Sequence, residues 1–341
     1  MARRSVFAFG LTAAVAGATL ALPAQADMND NKPISFSVDG GSATGYFKVV
    51  AEAINAIIRE VYPGSDATYK PGAPAGGILN IATGKSDIVY TGGPPEIAYA
   101  MEGKAPFQAS LKGKFLWVAK LHNGLTIHSF ATKEWSDKTG VKTYKDLAAK
   151  KPAVRLGVNQ LATMQSYISG PVAIFKQYGI ADKDIEAWGG SFFRSNIATN
   201  LEAFRDGKID AIINGAFVPT ATITDIARSR EMVWIGGDEA EMKKAAAEWG
   251  IDQIVIPKDA YPFLTKDEPT TTVWNVMLAG QHVSDETVYK WLKAVDTHLG
   301  RVQSIHPSLK NFDMKLAVTN PTQVAYHPGA EKFYREKGLL K

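Results

Sequence analysis

The sequence predicts an α/β fold of two similar lobes, each a parallel-type sheet flanked by helices, joined by a hinge of two crossovers. Three observations carry this. The stretch Gly84-Lys85-Ser86-Asp87-Ile88-Val89-Tyr90-Thr91-Gly92 is echoed by Gly207-Lys208-Ile209-Asp210-Ala211-Ile212-Ile213-Asn214-Gly215. Upstream, Val38-Asp39-Gly40-Gly41-Ser42-Ala43-Thr44 is echoed at nearly the same offset by Val158-Asn159-Gln160-Leu161-Ala162-Thr163. Between these echoes, strand and helix patterns alternate with short connections, as in sheets covered by helices.

The first 26 residues read as an export signal. Arg3 and Arg4 precede an apolar run from Val6 to Leu22, and Ala24-Gln25-Ala26 offers the small residues a signal peptidase requires. Lobe one is expected over 27–124 and again over 256–341, with lobe two over 125–255. Its first strand, Ile34–Val38, runs into a Gly-rich turn and a helix of about Thr44–Tyr62, where Val50, Ile54, Ile57, Ile58 and Val61 recur at helical spacing. A strand near Ala67–Lys70, a short helix ending at Gly84 and a strand Ile88–Tyr90 follow.

After a strand Phe115–Leu121, the run Leu125–Ala131 is read as the crossing into lobe two. That lobe then shows helix Tyr144–Lys150, strand Val154–Val158, helix Met164–Tyr178, strand Ile185–Trp188, helix Asn196–Asp206 and strand Ala211–Ile213. Helices Ala221–Arg230 and Glu239–Trp249 flank a strand Met232–Ile235. A second crossing is placed at Ile251–Pro257. Strand Thr271–Leu278, a long helix Asp285–Ile305 and a closing helix Pro328–Leu340 complete lobe one.

Composition excludes several classes. The 341 residues are 45% hydrophobic and include no cysteine, so an exported chain must hold by packing rather than disulfides. Removing Arg3 and Arg4 lowers the formal charge from +4 to +2, and no basic run is dense enough for nucleic acid. Beyond the signal, no run of about 18 apolar residues is long enough to span a membrane.

Enzyme motifs fail at the positions that matter. A phosphate-binding loop ending at Gly84-Lys85-Ser86 would need glycine where Leu79 stands. A calcium loop beginning at Asp27 would need glycine at Lys32 and glutamate at Val38. Gly40-Gly41-Ser42-Ala43-Thr44 is not a nucleophile elbow. Among the six histidines, His122 and His128 would share a strand face, but no third ligand lies nearby in sequence, so neither a metal nor a cofactor is expected. The chain reads as a binding protein rather than an enzyme.

What remains is a cleft between the lobes. Each lobe places hydroxyls and backbone donors where a strand gives way to a helix: Ser42, Thr44 and Gly45 in lobe one, Asn159, Gln160 and Thr163 in lobe two. Helix N-termini attract carboxylates and similar anions, although Ser42 and Thr44 also suit simple N-capping. Ligand crevices in open α/β sheets lie beyond the carboxyl ends of the strands, which adds Gly76, Gly77, Thr91, Gly92, Asn214 and Gly215. Arg194 could pair bidentately with a carboxylate. The aromatics Tyr46, Trp188 and Phe217 could cover an apolar part of the ligand.

Several segments resemble one known family, the TAXI solute receptors of tripartite ATP-independent periplasmic (TRAP) transporters. They are Gly41–Phe47, Gly76–Asp87, Leu201–Ala211 and the terminal His327-Pro328-Gly329-Ala330-Glu331-Lys332-Phe333-Tyr334. The resemblance implies a two-lobed, type II periplasmic-binding-protein-like fold in the periplasm. It also implies capture of a small organic anion, amino-acid-like or dicarboxylate, by hinge closure, and delivery to a membrane permease. The chain departs from the family pattern at Asn159–Thr163, at Thr91–Pro95, and at Leu121-His122-Asn123, which brings His122 into the candidate site. A receptor of an ABC transporter is the alternative reading, and a periplasmic hydrolase or lyase the second.

Overall fold

The computed structural model describes residues 1, 28, 30–41, 43, 46–72, 74–159 and 168–341. Apart from Met1, the expected signal segment 1–26 lies outside the described residues, as do Ser42, Thr44, Gly45, Gln160 and Thr163. The strands are β1 (Ser35–Asp39), β2 (Asp66–Lys70), β3 (Ile88–Thr91), β4 (Phe115–Thr132), β5 (Arg155–Val158), β6 (Ser191–Arg194), β7 (Ala211–Ala216), β8 (Met232–Trp234), β9 (Asp252–Ile256) and β10 (Glu268–Gly280).

They pair in the order β2-β1-β3-β10-β4-β7-β5-β6, with β8 on β4 and β9 on β10. At one end β2, β1 and β3 are mutually parallel. At the other, β6, β5 and β7 repeat that arrangement. The sequence echoes therefore fall on equivalent strands, β3 with β7 and β1 with β5. Between the two parallel sets run β4 and β10, antiparallel to each other and 18 and 13 residues long.

The expected strand Phe115–Leu121 and the crossing Leu125–Ala131 are thus a single strand, β4. It pairs with β10 from Phe115 to Thr126 and with β7 from Thr126 to Ala131. The expected second crossing at 251–257 forms β9, a partner for the start of β10, and the passage back into lobe one follows β10 itself.

Helices cover both faces. Helix Tyr46–Val61 buries Phe47, Val50, Ala51, Ile54 and Ile58 along one stripe against β1, β3 and helix Asp285–Thr297. A fully buried isoleucine contributes about 1.5–3 kcal/mol, so this stripe anchors lobe one. Lys290 on the second helix is fully buried but saturated, donating to Asp30 Oδ1 (2.5 Å), Glu286 Oε1 (2.6 Å) and the Lys32 carbonyl (3.0 Å). Burial alone would pull its pKa down, and the hydrogen bonds from Asp30 and Glu286 leave it raised.

The residues expected as a strand at Ile185–Trp188 belong instead to helix Asp182–Ala187, and the strand follows at β6. The N–H of Ala181 donates to Asp184 Oδ2 at 2.7 Å, which starts the helix, and Ile185 is buried beneath it. Gly189, at φ 83°, ends it, and Gly190 packs so closely on the Val154 and Ile185 carbonyls that a Cβ would lie 2.7 Å and 2.8 Å away. The long helix expected over 285–305 is divided at His298 into Asp285–Thr297 and Leu299–Ile305. Helices Pro94–Glu102 and Lys133–Thr139 were not legible as periodic segments.

The lobe-two side of β4 carries a buried polar knot. His128 is fully buried, with Nδ1 2.9 Å from the Thr126 carbonyl and Nε2 2.8 Å from Tyr261 Oη, which also accepts the Thr220 N–H at 2.9 Å. Desolvation holds the imidazole pKa down at about 4, so it stays neutral in the fold. The unfolded chain takes up that proton near its ordinary 6.5, so the stabilisation is complete above about pH 6.5 and is lost as pH falls towards 4. His306 and His327 shift in the same direction, both by burial. Urea unfolding at pH 7.5 and pH 5 should show stability falling with acid. In His128→Gln that fall should shrink by about 2 kcal/mol; an unchanged fall would remove His128 from the account.

Candidate functional site

Three register irregularities interrupt the β4–β10 ladder where the chain passes between lobes. On β10 consecutive residues face Leu278↔Trp117, Met277↔Ala119, Val276↔Lys120, Asn275↔His122, Trp274↔Asn123 and Val273↔Leu125, so Val118, Leu121 and Gly124 are the unpaired extra residues. Bulges bend a strand and re-aim its side chains. The one at Leu121 decides the site: Lys120 and His122, which an unbroken strand would place on one face, lie on opposite faces beside Val276 and Asn275.

On the His122 face, Nε2 lies 3.0 Å from Asn275 Nδ2. Around it gathers an aromatic group drawn from both lobes. The Tyr46 ring centre is 5.0 Å from His122, 4.7 Å from Phe217 and 4.8 Å from His306, and Phe217 lies 4.9 Å from His306. Ser308 donates to Tyr46 Oη at 3.2 Å. Desolvation raises the Tyr46 phenol. Gly124 makes this approach possible, because a Cβ there would come within 2.6 Å of His122 Nδ1 and 3.1 Å of the Phe217 ring.

On the opposite face, the Lys120 ammonium lies 3.4 Å from the Trp274 ring centre and 3.9 Å from Asp252 Oδ2. That carboxylate oxygen accepts the Trp274 indole N–H at 2.8 Å. Lys120 is only 5% exposed, and burial, outweighing the Asp252 charge, lowers its pKa. Thr91, at the end of β3, shares a register row with Val276 and Lys120. Its hydroxyl is fully buried and has no hydrogen-bond partner among the described residues.

The helix that follows β3 is closed at its start by its own residues. Pro94 and Pro95 occupy its first positions and lack N–H groups, while Glu96 Oε2 takes the Gly93 N–H at 2.8 Å. Glu96 is fully buried, and desolvation raises its carboxyl well above the ordinary range.

The other residues singled out in the sequence are spread along the strand ends. Asn214 is fully buried on β7 opposite His128, with Oδ1 accepting the Gly215 N–H at 2.8 Å and Nδ2 without a partner. Gly215 pairs with Ile127, and Asn159 is half-buried just past β5. Gly92 is buried next to Thr91. Gly76 opens to solvent, whereas a Cβ on Gly77 would meet Val89 Cγ2 at 2.5 Å, so Gly77 is the close contact between its helix and the sheet. Arg194 is carried on the outermost strand and donates to Asp182 Oδ2 at 2.9 Å above the Phe192 ring. Trp188 packs into the lobe-two core rather than meeting Tyr46 and Phe217. Sequence reading missed Lys120, Asn275, Trp274 and His306, because only the bulged register of β4 and β10 brings them to the hinge.

A hollow of 600 Å³, lined among others by Arg155, Asp210 and Arg230, lies at the opposite edge, where β5 and β7 begin. Arg155 is bound there bidentately to Asp210, through Nε at 3.0 Å and Nη2 at 2.6 Å. Arg230 donates to the Arg205 carbonyl. These cations are already engaged within lobe two. Among the described residues no three His, Asp or Glu gather as a metal site.

Two parallel half-sheets facing each other across shared antiparallel strands define the type II architecture of two-lobed solute-binding proteins. The chain belongs to the NMT1-like family, whose model matches residues 39–338. Malate-bound MatC from Rhodopseudomonas palustris shares the fold at a TM-score of 0.52 and 16% identity, over 91% of this chain and 99% of that one. The alkanesulfonate-binding protein SsuA from Xanthomonas axonopodis pv. citri, bound to MOPS, matches at 0.46 and 12%, over 80% and 73% of the two chains. The aliphatic sulphonate-binding SsuA from Escherichia coli matches at 0.44 and 11%, over 91% and 95%.

The contact between Tyr46 and Phe217 ties the lobes together, and aromatic pairs of this geometry are worth about 0.5–1.5 kcal/mol beyond their buried area. A double-mutant cycle of Tyr46→Leu and Phe217→Leu, read by urea unfolding, should return a coupling of about that size. Additivity within about 0.3 kcal/mol would mean that the rings do not meet in solution.

Proposed function

We propose that this protein is an extracytoplasmic receptor that captures a small organic anion between its lobes and delivers it to a membrane permease. One observation carries the reading: the C-terminal ends of β1 and β3 and those of β5 and β7 face each other across the two strands that join the lobes. A ligand held there touches both lobes, so its affinity for the closed form exceeds that for the open form and drives closure. A carboxylate-bearing ligand agrees with the polar loops at the strand ends, and MatC, of the same fold, holds malate. The candidate contacts are Ser42, Thr44, Gly45, Gly76, Thr91, Gly92, His122, Asn159, Gln160, Thr163, Asn214 and Gly215.

The segment 1–26 supports export to the periplasm. The permease is of the TRAP type on the motifs shared with the TAXI receptors. The matching family model is the NMT1-like one, and several structures of similar fold come from ABC-transporter receptors, so an ABC permease is the second reading. Uptake that survives loss of ATP but not of the ion gradient marks the first; the reverse dependence marks the second. As a receptor rather than an enzyme, the protein should return its ligand chemically unchanged.

A thermal-shift screen of residues 27–341 against dicarboxylates, oxo acids, amino acids and sugars tests the reading. A ligand at 100 times its Kd stabilises the fold by about 2.7 kcal/mol, which should raise the Tm by several degrees. Thr44→Ala or Thr163→Ala should reduce the shift. Conversion of the ligand to product would replace the receptor reading with the enzyme one.

A further inference from the structure

The two buried lysines of this protein are in opposite situations. Lys290 is surrounded by three acceptors within 3.0 Å, and the carboxylates of Asp30 and Glu286 raise its pKa against burial. Lys120 makes no hydrogen bond to any described residue; its neighbours are the Trp274 ring and a carboxylate oxygen at 3.9 Å, beyond hydrogen-bond range. Asp252 Oδ2 is moreover committed to the Trp274 indole. An ammonium largely withdrawn from water with its donors unused is costly unless an acceptor arrives.

Among the described residues none accepts a hydrogen bond from Lys120, and a further unused donor shares its register row. Thr91 Oγ1, fully buried and unpartnered, lies in the same register row across β3, β10 and β4. This row sits at the carboxyl end of β3, where the chain passes between lobes. Pro94, Pro95 and the Glu96 cap meanwhile occupy the start of the helix that follows β3.

We infer that Lys120, assisted by the Thr91 hydroxyl, is the charged end of the ligand site and takes an oxyanion group of the solute, a carboxylate or sulfonate, against the Trp274 face of the hinge. The inference rests on the receptor reading above and deepens it. Because Lys120 is on β4 and Thr91 on β3, an anion bound there touches the two strands on either side of β10. The Trp274 ring holds the ammonium in place before the ligand arrives, so little side-chain freedom is lost on binding.

The test compares the wild-type chain with Lys120→Met, Lys120→Arg and Thr91→Val by calorimetric titration and thermal shift at constant ionic strength. The probes are malate, succinate, glutamate, taurine and inorganic phosphate, with glucose and leucinamide as solutes without an anionic group. Lys120→Met removes a buried charge and keeps the bulk, and Asp252, 38% exposed and bound to Trp274, remains solvated. The expected result is binding of at least one anionic probe by the wild type. Lys120→Met should bind it roughly 10- to 100-fold more weakly, and Thr91→Val a few-fold more weakly. Lys120→Arg, which keeps the charge, should stay within about tenfold of the wild type.

Equal affinity in Lys120→Met would overturn the role of Lys120 and leave the receptor reading standing. Binding of only glucose or leucinamide would overturn the anionic ligand while keeping a receptor. Binding of none of the probes would overturn both. If Lys120→Met does not fold, the Thr91→Val and Lys120→Arg titrations decide, and affinity unmoved by Thr91→Val together with loss in Lys120→Arg would count against the inference.

Discussion

Everything in this molecule hangs on the antiparallel pairing of β4 with β10. The lobe-one half-sheet is attached to β10 through β3, and the lobe-two half-sheet to β4 through β7 and β8. Neither half-sheet touches the other except through these two strands. Both strands are largely buried, so their backbone groups must find partners, and the ladder keeps the lobes in one covalent and hydrogen-bonded frame. Its three bulges fall between Trp117 and Leu125, the stretch that spans the two lobes. Extra residues at that place loosen the ladder and increase its twist, which is the mechanical requirement of a hinge.

The same bulges distribute the chemistry. With an unbroken β4, Lys120 and His122 would crowd one face; the unpaired Leu121 sends them to opposite faces. One face is then closed by Tyr46, Phe217, His122 and His306, which join residues distant in sequence into a single aromatic contact between lobes. The other face keeps a buried cation over an indole ring and an unpaired hydroxyl. Aromatic closure on one side and a buried cation on the other give the hinge a directional character that composition alone does not reveal.

The electrostatics also differ between the two lobes. At the end of β3 the chain spends its helix N-terminus on itself, through Pro94, Pro95 and Glu96. At the outer edge of lobe two, Arg194 and Arg155 are engaged by Asp182 and Asp210. Positive charge with unused donors is therefore found at Lys120, in the middle of the molecule, where burial makes each interaction stronger than at the surface.

Much of this was legible in the sequence. The paired Gly-Lys-x-Asp echoes marked β3 and β7, the Val38 and Val158 echoes marked β1 and β5, and helix Glu239–Trp249 was placed to the residue. Those features depend on local periodicity and on turn residues, which act over a few positions. Ile185–Trp188 misled because its apolar residues suit a strand as well as a one-turn amphipathic helix, and the Ala181–Asp184 cap and the Gly189 turn decided between them. The register of β4 against β10 lay beyond sequence reading altogether. A bulge is set by how two strands some 150 residues apart in the chain fit one another, through Gly124 admitting the Phe217 ring and Asn275 meeting His122. The sequence by itself determined two repeated α/β halves with polar residues at matching strand ends. Only the tertiary structure decided which side of the hinge carries the aromatic group and which the Lys120 ammonium, because a one-residue change in register exchanges the faces of a strand.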